Sequence, residues 1–154
     1  MAMSPLKGRN YMALSQLDRE ILDFTIELAS KSAESGSETT PSGAAVTVNG
    51  EIVGFSQSWV ERQHDPLAHA GVLAIQKTCK MLGSHLIPGA VLYSSLNPCF
   101  LCLTVARWTG FTRVVYTEKK DNFTFVGEYS LATDVYYECG DSFPETWELF
   151  KHTS

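Results

Sequence analysis

Val91-Leu92-Tyr93-Ser94-Ser95-Leu96-Asn97-Pro98-Cys99-Phe100-Leu101-Cys102 reads as a short buried strand that runs through an Asn-Pro turn into a helix. The helix is predicted from about Cys99 to Thr109, with Gly110 as its stop signal. Arg113 to Thr117 then reads as a second strand. A strand, a helix and another strand in this order form a crossover unit, which points to a sheet with helices packed on it.

The flanking sequence extends the same pattern. Upstream, Asp65-Pro66 offers an N-cap followed by an N1 proline, predicting a helix from Pro66 to about Leu82 that Gly83 terminates. Before it, Ala44 to Val48 and Ile52 to Ser56 flank Asn49-Gly50, a type I′ hairpin signal. Residues 35–43 are loop by composition. Ser15 and Asp18 form a capping-box pair ahead of Leu17, Ile21, Phe24 and Leu28, whose spacing predicts a first helix to about Ser32. Downstream, residues 118–129 read as less regular, followed by a strand or helix through Tyr137 and a short terminal helix opened by Pro144. The predicted order is helix, hairpin, helix, strand, helix, strand. That is an α/β domain, a mixed central sheet between helices in a three-layer α-β-α arrangement.

At 154 residues the sequence suits one domain, with residues 1–13 read as a leader or cloning remnant and 14–154 as the folded unit. Nothing approaches a membrane span, and Met1-Ala2-Met3-Ser4-Pro5 lacks the charged-then-apolar layout of a signal peptide, so a cytoplasmic location is the default expectation. Net charge is −5 and the twelve Lys and Arg are scattered, which argues against a nucleic-acid partner and favours a small neutral ligand. Lys119-Lys120, the only adjacent basic pair, reads as a solvated loop.

Of the four cysteines, Cys79, Cys99, Cys102 and Cys139, the spaced pair Cys99/Cys102 is read as metal-binding rather than as a disulfide or redox motif. Cys99 and Cys102 share a helix face, and His69 falls in the first turn of the preceding predicted helix. Two thiolates and an imidazole suit zinc. Three protein ligands leave the fourth tetrahedral position to water, the arrangement of a catalytic rather than a structural ion. Taken alone, His69 is a capping or half-buried histidine and the cysteines are core packing; together with Pro98 they are read as a zinc site. Cys79 and Cys139 are taken as packed thiols, and His64, His85 and His152 as surface or capping residues.

His64-Asp65-Pro66-Leu67-Ala68-His69-Ala70-Gly71 and Leu92 to Cys99 resemble the metal-binding segments of the cytidine deaminase-like superfamily. The similarity is nearest to the branch containing guanine deaminase, yeast-type cytosine deaminase and tRNA adenosine deaminase. It covers about Gly43 to Thr117, with a weaker echo in Pro144 to Phe150. The resemblance implies hydrolytic deamination, in which zinc-activated water attacks an amine-bearing ring carbon and ammonia leaves. It assigns His69, Cys99 and Cys102 to the metal, and places the backbone of Ala70 and Gly71 and the carbonyl of Asn97 around the substrate. It also implies a homodimer.

Two departures qualify it. The family pattern H-x-E…P-C-x-x-C has Glu as its general acid and base where this chain has Gly71. Glu61 and Asp65 lie near in sequence, but Asp65 is explained as a cap and no substitute is evident. The branch often has Asn eleven residues before the histidine, where this chain has Ser58 beside Trp59, itself read equally as a half-buried aromatic. Trp147 and Phe150 are the favoured ring-stacking candidates, with Phe123 and Phe125 read first as core or dimer contacts. Asp121 and Asp134 are candidates to bind an exocyclic amine, with loop or cap roles preferred.

The leading reading is a zinc-dependent deaminase of a small aminated heterocycle (purine, pyrimidine or related base), inactivated at Gly71. The alternatives are a naturally inactive ligand-binding relative and a tRNA-editing relative.

Overall fold

A computed structural model describes residues 14–120 and 123–131. The elements are α1 (Gln16–Glu34), β1 (Gly43–Val48), β2 (Glu51–Gln57), α2 (Ala70–Leu82), β3 (Val91–Ser94), α3 (Phe100–Trp108), β4 (Arg113–Lys120) and β5 (Phe123–Ser130). They build a five-stranded mixed sheet in the order β2-β1-β3-β4-β5. β3 and β4 run parallel, joined by the α3 crossover, while the β1–β2, β1–β3 and β4–β5 pairs are antiparallel.

The three layers follow from the alternation of side chains along each strand. Ala44, Val46, Leu92 and Val114 face α2 and α3, burying Ala74, Ile75, Leu103 and Ala106 between them. Their neighbours Ala45, Tyr93 and Val115 point the other way, onto Ile21 and Leu22 of α1. Leu92 is fully buried, and truncating such a residue to Ala costs about 2–5 kcal/mol.

The local signals act largely as their chemistry requires. Ser15 accepts from the Asp18 N–H, and the Asp18 carboxylate accepts from the Ser15 N–H, completing the capping box. Asn49 and Gly50 both adopt positive φ, at 53° and 82°, as a type I′ turn demands. Gly54 has a different reason: a Cβ there would meet the Thr78 hydroxyl oxygen at 2.2 Å, so glycine lets β2 lie flat against α2.

Three expectations need correction. The second helix does not begin at Pro66. Asp65 accepts from the Leu67 N–H and closes a local turn, His64 sits at φ 51°, and the helix starts at Ala70 with His69 as its N-cap. Likewise Cys99 is the N-cap of α3 rather than its first residue. Residues 118–120 and 123–129 are not irregular: β4 continues to Lys120 and β5 pairs back along it, so Lys119-Lys120 ends a strand instead of lying in a loop. The expected strand or helix through Tyr137 and the terminal helix lie outside the described residues, as do residues 1–13.

Asp18 does more than cap. It is nearly buried, and it accepts from the Tyr93 hydroxyl at 2.6 Å and from the Arg113 guanidinium at 2.9 and 3.1 Å. Arg113 in turn pairs with Glu128 of β5. Burial alone would push the Asp18 carboxyl up, but the hydrogen bonds from Arg113, Tyr93 and Ser15 outweigh it and bring it down from 3.8 to about 2. Burial and the same contact push the Tyr93 hydroxyl up to about 12.

A depressed carboxyl contributes stability above its unfolded value and loses it as pH falls through the folded one. We expect stability to decline by about 2 kcal/mol as pH drops from about 5 toward 2. Asp18→Asn should lose about 2–3 kcal/mol at neutral pH and flatten that part of the profile. Urea unfolding over a pH series measures both, and an unchanged acid limb in the variant would refute the assignment.

Candidate active site

The N-termini of α2 and α3 meet at one edge of the sheet, beside the ends of β2 and β3. His69 and Cys99 are their N-caps, and Cys102 lies in the first turn of α3. The separations are 3.5 Å from Cys99 Sγ to His69 Nδ1, 3.8 Å between the two sulfurs and 3.9 Å from Cys102 Sγ to His69 Nδ1. Around a tetrahedral zinc with Zn–S about 2.3 Å and Zn–N about 2.0–2.1 Å, neighbouring ligand atoms sit about 3.5–3.8 Å apart. The triangle therefore fits a zinc ion through Nδ1. Among the described residues no other group of three or more His, Cys, Asp or Glu could hold a metal.

Backbone amides prepare the sulfurs for negative charge. The Gly71 and Val72 N–H groups point at Cys102, and those of Leu101 and Cys102 at Cys99. The contact with the Cys102 thiol outweighs burial, and with the nearby His69 it holds the Cys99 thiol below the usual thiol range. The hydrogen bond to Cys99, together with burial, pushes the Cys102 thiol up, so a bound cation would favour its thiolate.

The triad floors a pocket of about 290 Å³. Ser58, Ala70, Gly71 and Asn97, four of the residues expected at a substrate, line it. The Asn97 side chain is fixed by the Tyr129 hydroxyl at 2.9 Å, and Tyr129 stacks on Tyr116 with ring centroids 5.3 Å apart. The Ser58 hydroxyl is already engaged, donating to Glu38 at 3.2 Å. Trp59 is half-buried outside the described lining, with the Arg62 guanidinium 5.0 Å above its ring, in keeping with its structural reading. Phe125 is exposed on β5 and is likewise absent from that lining. Asp121, Asp134, Cys139, Trp147, Phe150 and His152 lie outside the described residues. Cys79 packs against the core, where burial pushes its thiol up.

Gly71 is buried in the first turn of α2. A Cβ built there would lie 3.1 Å from Cys102 Sγ and 3.3 Å from Cys102 Cβ. The position thus faces the candidate metal ligands, with the Cys102 and Leu92 side chains bordering the space a side chain would enter. Asp65, committed to its turn, does not reach the described lining, whereas Glu61 does.

A profile for the cytidine and deoxycytidylate deaminase zinc-binding region matches residues 15–118. The chain belongs to this deaminase family. As a family member it is 40% identical over 76 residues to guanine deaminase of Bacillus subtilis (strain 168), a match covering 49% of each chain. It is 35% identical over 99 residues to the tRNA-specific adenosine deaminase of the same organism, covering 64% of this chain and 60% of that one. The solved guanine deaminase from Bacillus subtilis superposes with a TM-score of 0.61 at 31% identity, over 68% of this chain and 65% of the other. The chain spans between about half and three-fifths of the length of these two curated relatives. No helix among its described residues is long and apolar enough to cross a membrane.

Sequence reasoning missed Glu38. It reads as one polar residue in a loop, and its place in the pocket comes from partners more than twenty residues away. No local pattern marks it.

Proposed function

We propose that this chain is a zinc-dependent hydrolytic deaminase scaffold for a small aminated heterocycle, severely impaired in turnover because Gly71 supplies no carboxylate. The His69, Cys99 and Cys102 triangle at the floor of a pocket of about 290 Å³ carries this reading. That volume lies at the lower end of small-molecule sites, which run from about 300 Å³ upward. Zinc held there would supply water activated for attack at an amine-bearing ring carbon. His69, Cys99 and Cys102 would hold the ion, and the amides of α2 and α3 would stabilise its thiolates. Asn97, oriented by Tyr129, borders the ring. Proton transfer to the ring nitrogen and to the departing ammonia has no group at position 71 to perform it.

Gly71 equally suits a family member that holds its ligand without turning it over. The two readings separate in an ammonia-release assay on a panel of aminopurines, aminopyrimidines and pterins, run on the zinc-loaded chain and its Gly71→Glu variant. Activity confined to the variant supports the impaired deaminase. Silence from both, with zinc bound, supports the ligand-holding protein. Full activity of the unaltered chain would overturn the impairment.

A further inference from the structure

Two loops at the pocket wall clasp each other through their carboxylates. Glu38 accepts from the Glu61 N–H at 3.1 Å, the Arg62 N–H at 3.0 Å and the Ser58 hydroxyl at 3.2 Å. Glu61 returns the contact, accepting from the Thr39 N–H at 3.0 Å and from the Thr39 hydroxyl. Both glutamates line the pocket, and the described lining contains no Lys or Arg. The Arg62 guanidinium, the nearest cation in sequence, is drawn over the Trp59 ring.

We propose that Glu38 is a specificity-determining residue, whose fixed carboxylate selects an uncharged or cationic amine-bearing ring and turns away substrates that carry phosphate. The inference rests on the pocket being the substrate site. Zinc with two thiolates is electrically neutral, so the wall carboxylates set the sign of the field a ligand meets. An ionised carboxylate has about four acceptor positions, and three donors already occupy Glu38. About one remains, enough for a single ring or exocyclic N–H. Because backbone amides hold it, the carboxylate cannot swing aside to admit an anion. Like charges brought together in this way suppress the wrong ligand.

Equilibrium binding of guanine, adenine and cytosine, each beside its 5′-monophosphate, to the zinc-loaded chain tests this. We expect at least one free base to bind about tenfold or more tightly than its monophosphate at about 20 mM salt, with the gap narrowing toward about 500 mM. Glu38→Gln should shrink the low-salt gap by about tenfold while zinc stoichiometry stays at one.

A merely structural clasp would lower the melting temperature of Glu38→Gln and leave the base-to-monophosphate ratio unchanged, overturning the proposal. A gap insensitive to salt in the unaltered chain would overturn it independently of any variant, since shape alone would then exclude phosphate. If no base binds the unaltered chain, the reading of the pocket itself fails, and the role of Glu38 falls with it. If bases bind but Glu38→Gln leaves the base-to-monophosphate ratio untouched, only the role of Glu38 is defeated.

Discussion

Gly71→Glu is expected to raise the rate of ammonia release from the right aminated ring by about 10²–10⁴-fold or more. Position 71 directly follows the first residue of α2 and lies two residues after His69, so its side chain must start beside the metal ligands. The first atom of that side chain would be 3.7 Å from Leu92 and only 3.1 Å from Cys102 Sγ. Cys102 must therefore yield by a few tenths of an ångström. Its sulfur is held by hydrogen bonds to the start of α2, so helix and ligand can adjust together. Gly71→Ala separates chemistry from fit: it adds the same Cβ without a carboxylate and should stay inactive. Its stability should change by at most about 1 kcal/mol, because the helical gain over glycine opposes the tight contact. A zinc-loaded Gly71→Glu protein that releases no ammonia from any ring would refute the impairment by Gly71.

Cys102→Ala should abolish stoichiometric zinc binding and the stabilisation that comes with it. Cys102 is the buried member of the triad and the one tied to both helices, through the α2 amides and its own place in α3. A ligand that binds only the folded state at about 100 times its Kd adds about 2.7 kcal/mol, which for a domain of this size raises Tm by roughly 5–10 °C. That increment should vanish in the variant, and elemental analysis should find well under one zinc per chain. Retention of one tightly held zinc would show that the metal sits elsewhere.

The sequence made the layered fold and the paired cysteines legible for a physical reason: each depended on nearby residues, while His69 was tied to them through the family pattern. Ser15 and Asp18 cap one another across a single turn, and Asn49-Gly50 adopts the only backbone a two-residue turn of this type allows. Cys99 and Cys102 are three apart on one helix. The failures came where distant or competing partners decided. Asp65-Pro66 has the residues of a helix start, but Asp65 spends its carboxylate on the Leu67 N–H and the helix waits until Ala70. Phe123 to Ser130 carries glycine and glutamate in an otherwise strand-like run, and it is fixed as a strand by pairing with β4, including the contact of Glu128 with Arg113. Glu38 had no readable signature at all, since its partners are contributed by the loop after β2.

The anchoring of α1 has a consequence for the order in which a nascent chain can close. Asp18 is translated 95 residues before Arg113 and 75 before Tyr93, the two side chains that hold it. By the time the arginine leaves the ribosome, the hairpin, α2, β3 and α3 are already outside, and with them all three metal ligands. Long-range closure of this kind comes late because its loop entropy is repaid only when both ends are present. The metal-binding face can therefore gather, and α1 can settle on the hairpin that follows it, while the Asp18 carboxylate still waits for its partners on the opposite side; closure of that contact is expected to be among the last steps of folding during synthesis.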